Sequence, residues 1–172
     1  PPSSAASDVY KRQIQYFLNM KKVSIAVIGC GRIGQMHAKN VQLHEKTNLA
    51  CIYDPNDEFA KKISIDLGIQ AVKNVDEIFN NDEIDAVLIS SPTNTHIDFI
   101  EKSVAAKKPV FCEKPIDLDI HKVNECSKRL EGNTIPIQLG FNRRFDPGHQ
   151  AAKKSLTNGE IGELHQLSLI HI

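Results

Sequence analysis

The run Val23–Ile28 passes straight into Gly29-Cys30-Gly31-Arg32-Ile33-Gly34, and no other stretch of the chain restricts its fold as strongly. A short apolar, β-branched segment signals a strand, and G-x-G-x-x-G directly after it demands a tight turn into a helix. Glycine is needed because the turn is sharp, because backbone must approach a pyrophosphate, and because helix and strand must pack closely. The unpaired N–H groups at such a helix start then face phosphate charge. Asp54 follows 20 residues after Gly34, at the end of the next apolar run, where a carboxylate binds ribose hydroxyls. A dinucleotide site is therefore expected at Gly29, Gly31, Ile33, Gly34 and Asp54, with Arg32 either reaching the phosphates or simply exposed in the first turn. Asp54 can also start the helix that follows Pro55, and the two roles are compatible. Its charge would repel a 2′-phosphate, and the three residues after it include no lysine or arginine, so NAD is expected rather than NADP.

Further along, apolar segments at 49–53, 70–72, 86–90, 110–112 and 135–139 show no alternation of apolar and polar residues. Helical patterns at 34–43, 56–67, 75–79, 95–106 and 120–130 separate them. Strands apolar on both faces, joined by helices, imply parallel βαβ units. The expected fold class is α/β, a doubly wound parallel sheet of the Rossmann kind, over residues 20–140. Beyond Gly140 the polar, turn-prone Phe141-Asn142-Arg143-Arg144-Phe145-Asp146-Pro147 leads to a helical pattern at 150–156 and a strand start at 162–166. This reads as the start of a second α+β domain over 141–166, cut short.

The two ends look foreign to the fold. Asp8-Val9-Tyr10-Lys11-Arg12-Gln13 can be written GAT GTG TAT AAG AGA CAG, whose reverse complement translates as the closing Leu167-Ser168-Leu169-Ile170-His171-Ile172. The opening segment also resembles translated transposase adapter used in preparing DNA libraries. Residues 1–19 and 167–172 are therefore read as non-native or upstream tails, with Met20 the native start and the native C-terminus missing. His171 accordingly carries no functional weight.

Bulk properties exclude several classes. With 21 basic and 21 acidic side chains the formal charge is zero, which argues against a dedicated nucleic-acid binder. No apolar run approaches the roughly 20 residues of a membrane span. Four scattered cysteines without a C-x-x-C pair, and no secretory leader, point to reduced thiols in the cytoplasm rather than to disulfides or a metal site.

In open α/β sheets, ligands sit outside the carboxyl ends of the strands. Two stretches fall there: Ser91, Pro92, Thr93, Asn94, Thr95 and His96 after one strand, and Glu113-Lys114-Pro115 after the next. Both should face the nicotinamide end of a bound cofactor, which puts Ser91, Pro92, Thr93, His96 and Glu113 among its expected contacts. Lys114 could hydrogen-bond a substrate hydroxyl and favour the alkoxide, or be no more than a solvated strand end. His96 could equally point at loop backbone from a first helical turn, and Asn94 or Thr95 could cap that helix.

The segments AVIGCGRIGQMH, SPTNTHIDFIEKSVAAKKPVFCEKPIDLD and GFNRRFDP together resemble the Gfo/Idh/MocA oxidoreductases, and within them the inositol 2-dehydrogenases. The likeness runs over about residues 23–164. It implies that Lys114 is catalytic and that Asn142 and Arg143 lie near a polyol substrate, though Arg143 could instead serve an interdomain ion pair. It also implies an aspartate and a proton-accepting histidine in a second domain that often supplies the oligomer sheet. His165 lies too early to be that histidine. The function so implied is NAD-dependent oxidation of a ring hydroxyl of a cyclic polyol, such as myo-inositol, to a ketone, by a longer homo-oligomeric parent; the fragment alone should be nearly inactive. Its rivals are the same fold acting on another sugar or sugar derivative, a non-catalytic NAD-binding regulator, and a short nucleotide-binding module.

Overall fold

A computed structural model describes residues 21–165. Five strands, β1 (Val23–Ile28), β2 (Thr47–Tyr53), β3 (Ala86–Ile89), β4 (Val110–Cys112) and β5 (Ile137–Leu139), form one sheet in the order β2-β1-β3-β4-β5. Every neighbouring pair is parallel. The connecting helices are α1 (Arg32–Leu43), α2 (Asp57–Leu67), the single turn α3 (Asp76–Phe79), α4 (His96–Ala105) and α5 (Ile120–Arg129). This is the doubly wound Rossmann arrangement, and its strand order reverses between β1 and β3.

The apolar runs are continuous because each face of the sheet has its own core. On one face Val27, Leu49, Ile52 and Leu88 pack against Ala38 and Val41 of α1 and Ala60 and Ile63 of α2. On the other, Ala26, Ile28, Val87, Ile89, Val110 and Cys112 meet Ile78 of α3 and Ile100 of α4. Local signals set the ends of α2. The Asn56 side chain accepts from the Glu58 N–H at 2.9 Å, and Gly68 stops the helix in the left-handed region at φ +63°.

Three expectations need correction. The segment 70–72 makes a single bridge, Ala71 to Ile52, instead of a strand, because the chain then turns to give the Lys73 and Asn74 N–H groups to the Glu77 carboxylate. The last strand among the described residues, β5, is two residues shorter than expected at its start, since the Ile135 N–H is taken by Asn133 Oδ1 and Pro136 has none. No strand forms over 162–165, where the exposed backbone finds no partner strand; residue 166 lies outside the described residues, as do the two tails.

The chain divides into two units between Leu139 and Gly140. The second unit holds a 3₁₀ turn, Asn142–Phe145, and the helix α6 (Pro147–Thr157), which starts three residues ahead of the expected segment. Asp146 caps α6 by accepting the His149 N–H at 2.9 Å, and Pro147 occupies its first turn. Among the described residues, no helix is long and apolar enough to cross a membrane.

Candidate functional site

Strand register builds the site. Ile28 pairs with Tyr53 and Ile89, and Ile89 with Cys112, so four carboxyl ends stand level. The ladder runs one step past the strands: Gly29 N–H donates to Tyr53 O, Ser90 N–H to Ile28 O and Glu113 N–H to Ile89 O, at 2.8–2.9 Å. Gly29, Asp54, Ser90 and Glu113 are thereby brought to one rim.

The three glycines are required for different reasons. Gly29 has φ +97°, and a Cβ there would lie 2.5 Å from the Ser90 carbonyl carbon. A Cβ on Gly34 would overlap the Gly29 carbonyl and stand 2.9 Å from Ser90 Oγ. Helix α1 is thus pressed onto the turn, and the Ser90 hydroxyl donates to Gly29 O at 3.0 Å. At Gly31 a Cβ would meet nothing within 4 Å, and φ is an unremarkable −66°. Nothing inside the protein asks for glycine at Gly31. A cradle that a Cβ would fill suits the close approach of a pyrophosphate. Gly31 gives α1 no side-chain cap and the first turn carries no acid, so the Arg32, Ile33 and Gly34 N–H groups have no intrahelical partner and are available to an anion.

Asp54 closes the other side of the turn. Its Oδ2 accepts the Cys30 N–H at 2.7 Å and its Oδ1 the Asn56 N–H at 2.8 Å. Each oxygen keeps a lone pair for a ribose hydroxyl. Burial, followed by the charge of Asp54, pushes the Cys30 thiol up to about 12.

The loop after β3 folds on itself. Thr95 Oγ1 donates to Pro92 O at 2.7 Å, so its 2.6 Å contact with Ser91 Oγ is a bond donated by the serine. Thr95 therefore does not cap α4 with its side chain, contrary to one expectation. Pro92 is exposed and Thr93 opens a 3₁₀ turn. His96 is 2% exposed and sits behind both loops, with Nε2 2.8 Å from Ser91 O and Nδ1 2.7 Å from Pro115 O. Both neighbours are carbonyl oxygens and can only accept, so each contact is a hydrogen bond only where the nitrogen facing it carries a proton. The ring bonds both loops at once only with a proton on each nitrogen.

Lys114 stands at the exposed end of β4, before a cis peptide bond to Pro115. Its backbone N–H donates to Glu113 Oε2 at 3.2 Å, while no described residue accepts a bond from its ammonium. The other oxygen of Glu113 accepts from His37 Nε2 at 2.8 Å. Glu113, expected at the cofactor, thus has both oxygens engaged within the protein. His37 went unnoticed in the sequence reading; the one available hint is that it lies a helical turn beyond Gly34. Asn142 and Arg143 stand in the second unit, where Arg143 Nη1 is 3.7 Å from Asp146 Oδ2.

A glycine turn that leaves room for phosphate, a carboxylate at the end of the second strand and a lysine at the end of the fourth define the dinucleotide-binding domain of an oxidoreductase. Residues 23–141 match the family described as "Oxidoreductase family, NAD-binding Rossmann fold". The chain belongs to this Gfo/Idh/MocA family. It is 40% identical over 147 residues to an inositol 2-dehydrogenase of Rhizobium meliloti, covering 86% of this chain and 44% of that protein. It is 38% identical over 144 residues to the scyllo-inositol 2-dehydrogenase (NAD(+)) of Bacillus subtilis, covering 83% and 42%. The crystal structure of scyllo-inositol dehydrogenase from Lactobacillus casei with bound NAD(H) and scyllo-inositol superposes with a TM-score of 0.77 at 33% identity, covering 83% of this chain and 43% of that one. The chain thus spans under half the length of the relatives it matches.

Proposed function

We propose that this chain is the cofactor-binding part of an NAD-dependent dehydrogenase that oxidises a ring hydroxyl of a cyclic polyol, such as myo-inositol, to a ketone. The observation that carries this reading is Lys114, held by its backbone at the rim of the glycine turn with its ammonium unpaired among the described residues. Bound NAD would accept a hydride from the carbinol carbon. The lysine would donate a hydrogen bond to the reacting hydroxyl and stabilise the oxygen as it becomes an alkoxide. Gly29, Gly31, Gly34 and the α1 N–H groups, with Arg32 and Ile33, would hold the pyrophosphate; Asp54 would hold the ribose. Ser91, Pro92 and Thr93 would edge the nicotinamide, and His96 would keep their loop in place. Asn142 and Arg143 would hydrogen-bond other hydroxyls of the ring. The parent's further domain, beginning after Gly140, would supply the proton-accepting histidine and the oligomer contacts.

NAD is favoured over NADP by the Asp54 charge, with Asp57 and Glu58 following and no cation among the three residues after it. A cytoplasmic setting suits four cysteines that are all free and buried. Two measurements test the proposal. Fluorescence titration of this chain should detect NADH and show far weaker binding of NADPH; equal binding would remove the cofactor assignment. The product of the whole gene should reduce NAD with myo- or scyllo-inositol and lose that activity on Lys114→Met. Activity confined to aldoses would replace the substrate, and full activity in the variant would remove the role of Lys114.

A further inference from the structure

The rim described above contains a link that crosses the fold. His37 belongs to the second turn of α1, the helix whose start faces the pyrophosphate cradle. Glu113 ends β4 and precedes Lys114. Their side chains meet at 2.8 Å with only 15% and 20% of each exposed, so the pair is sheltered from the solvent that weakens surface ion pairs. The His37 ring stands edge-on to Phe111, with centroids 5.5 Å apart, which limits its swing. The carboxylate can only accept, so Nε2 carries the proton in this bond whatever the charge on the ring. Glu113 Oε2 in turn accepts the Lys114 N–H at 3.2 Å.

We propose that His37 is a positioning residue for Lys114: it fixes the Glu113 carboxylate, and the carboxylate fixes the lysine's backbone. The inference rests on the dehydrogenase reading for placing Lys114 at the reacting hydroxyl. In these terms Glu113 serves as an anchor between cradle and lysine, setting the distance from phosphate site to reacting group. A lysine on a free loop would meet a hydroxyl in many poses. Held at its own N–H, it meets the hydroxyl in few.

A simple helix-to-sheet pin would use the same two residues, so the test must read Lys114 itself. We would compare His37→Leu, His37→Gln and Glu113→Ala in this chain, following backbone amide exchange by NMR, urea unfolding and NADH affinity. In His37→Leu the Lys114 amide should exchange about fivefold faster or more, the loss of one hydrogen bond. The Val87 amide, bonded to Pro109 O in the core, reports global opening and should not follow. His37→Gln restores an N–H donor and should stay within about twofold of the unmodified chain. Glu113→Ala should match His37→Leu, and combining them should add nothing. NADH affinity should weaken in the same order. An unmoved Lys114 amide in folded His37→Leu or Glu113→Ala, or equal effects from leucine and glutamine, would overturn the assignment. Should the unmodified chain not bind NADH, the cofactor reading fails, while the Lys114 exchange still decides the link.

Discussion

The backbone N–H of Cys30 donates to Asp54 Oδ2 at 2.7 Å, so a hydrogen bond within the protein joins the glycine turn to the end of β2. With Oδ1 on the Asn56 N–H, one carboxylate holds two loops. Asp54→Ala leaves both donors unpaired and is expected to cost about 1–3 kcal/mol of stability, read from urea unfolding. NADH affinity should fall about tenfold or more, equal to about 1.4 kcal/mol. An alanine variant that kept both properties would limit Asp54 to a solvated acid.

Gly31 and Gly34 should separate binding from folding. Gly31→Ala places its methyl in open space and is expected to change stability by less than about 0.5 kcal/mol. Its NADH affinity should nevertheless fall about tenfold or more, because the methyl occupies the phosphate's approach. Gly34→Ala drives a methyl into the Gly29 carbonyl and should cost about 3 kcal/mol, despite alanine's better helix propensity. Calorimetry and titration of the two variants give the comparison, and a reversed order would refute the assignment of the two glycines.

Lys108 is 6% exposed, and its ammonium donates to Asn81 O at 2.7 Å and Ile84 O at 2.8 Å. The loop before β3 is closed by this lysine from the opposite ends of the strands, far from Lys114. Lys108→Met would leave two carbonyls short of a donor and is expected to lower stability by about 2–3 kcal/mol. NADH affinity should not follow it.

Acid should loosen the same end. The Ser24 N–H first, then Lys21, hold the Asp85 carboxyl below its ordinary 3.8. A depressed carboxyl contributes stability above the unfolded value, and that contribution is lost as pH falls through the lower, folded value. Asp85→Asn should therefore flatten the stability profile below about pH 4 and leave its shape above that unchanged. Unfolding curves collected down the acid range provide the check.

Burial, then the neighbouring carboxylate, pushes the thiols of Cys30 and Cys112 up to about 12, and burial followed by Glu77 pushes Cys51 up to about 11. The folded chain should therefore resist a disulfide reagent at about pH 8, with all four cysteines reacting only as the chain opens. Rapid reaction of Cys30 in folded protein would contradict the packing of the glycine turn.

The sheet was legible because its inner strands are buried on both faces, although β5 leaves Ile137 and Gln138 exposed. Val23–Ile28 and 86–89 could not be confused with alternating surface strands, and the glycines marked where α1 begins. Segment 70–72, Gln70-Ala71-Val72, follows a helix as a strand of the sheet would, yet lying outside β2 it forms only a bridge; composition does not reveal which strand is the edge. Lys114 and Asp54 stood out because motif spacing placed them at strand ends. His37 did not, because its partner is 76 residues away and helix periodicity describes a face rather than a contact. His96 was expected at the cofactor or against loop backbone, and it meets loop backbone; that the partners are Ser91 O and Pro115 O shows only once the two loops lie side by side.

The order β2-β1-β3-β4-β5 also bears on how a ribosome delivers this domain. Among the described residues, the first strand in chain order lies inside the sheet. β2 joins one flank, then β3, β4 and β5 extend the other in turn, so no late strand has to be threaded between two already paired. Parallel sheets form slowly because their contacts are distant in sequence. Growth outward from β1 would let each later described strand meet an edge already in place.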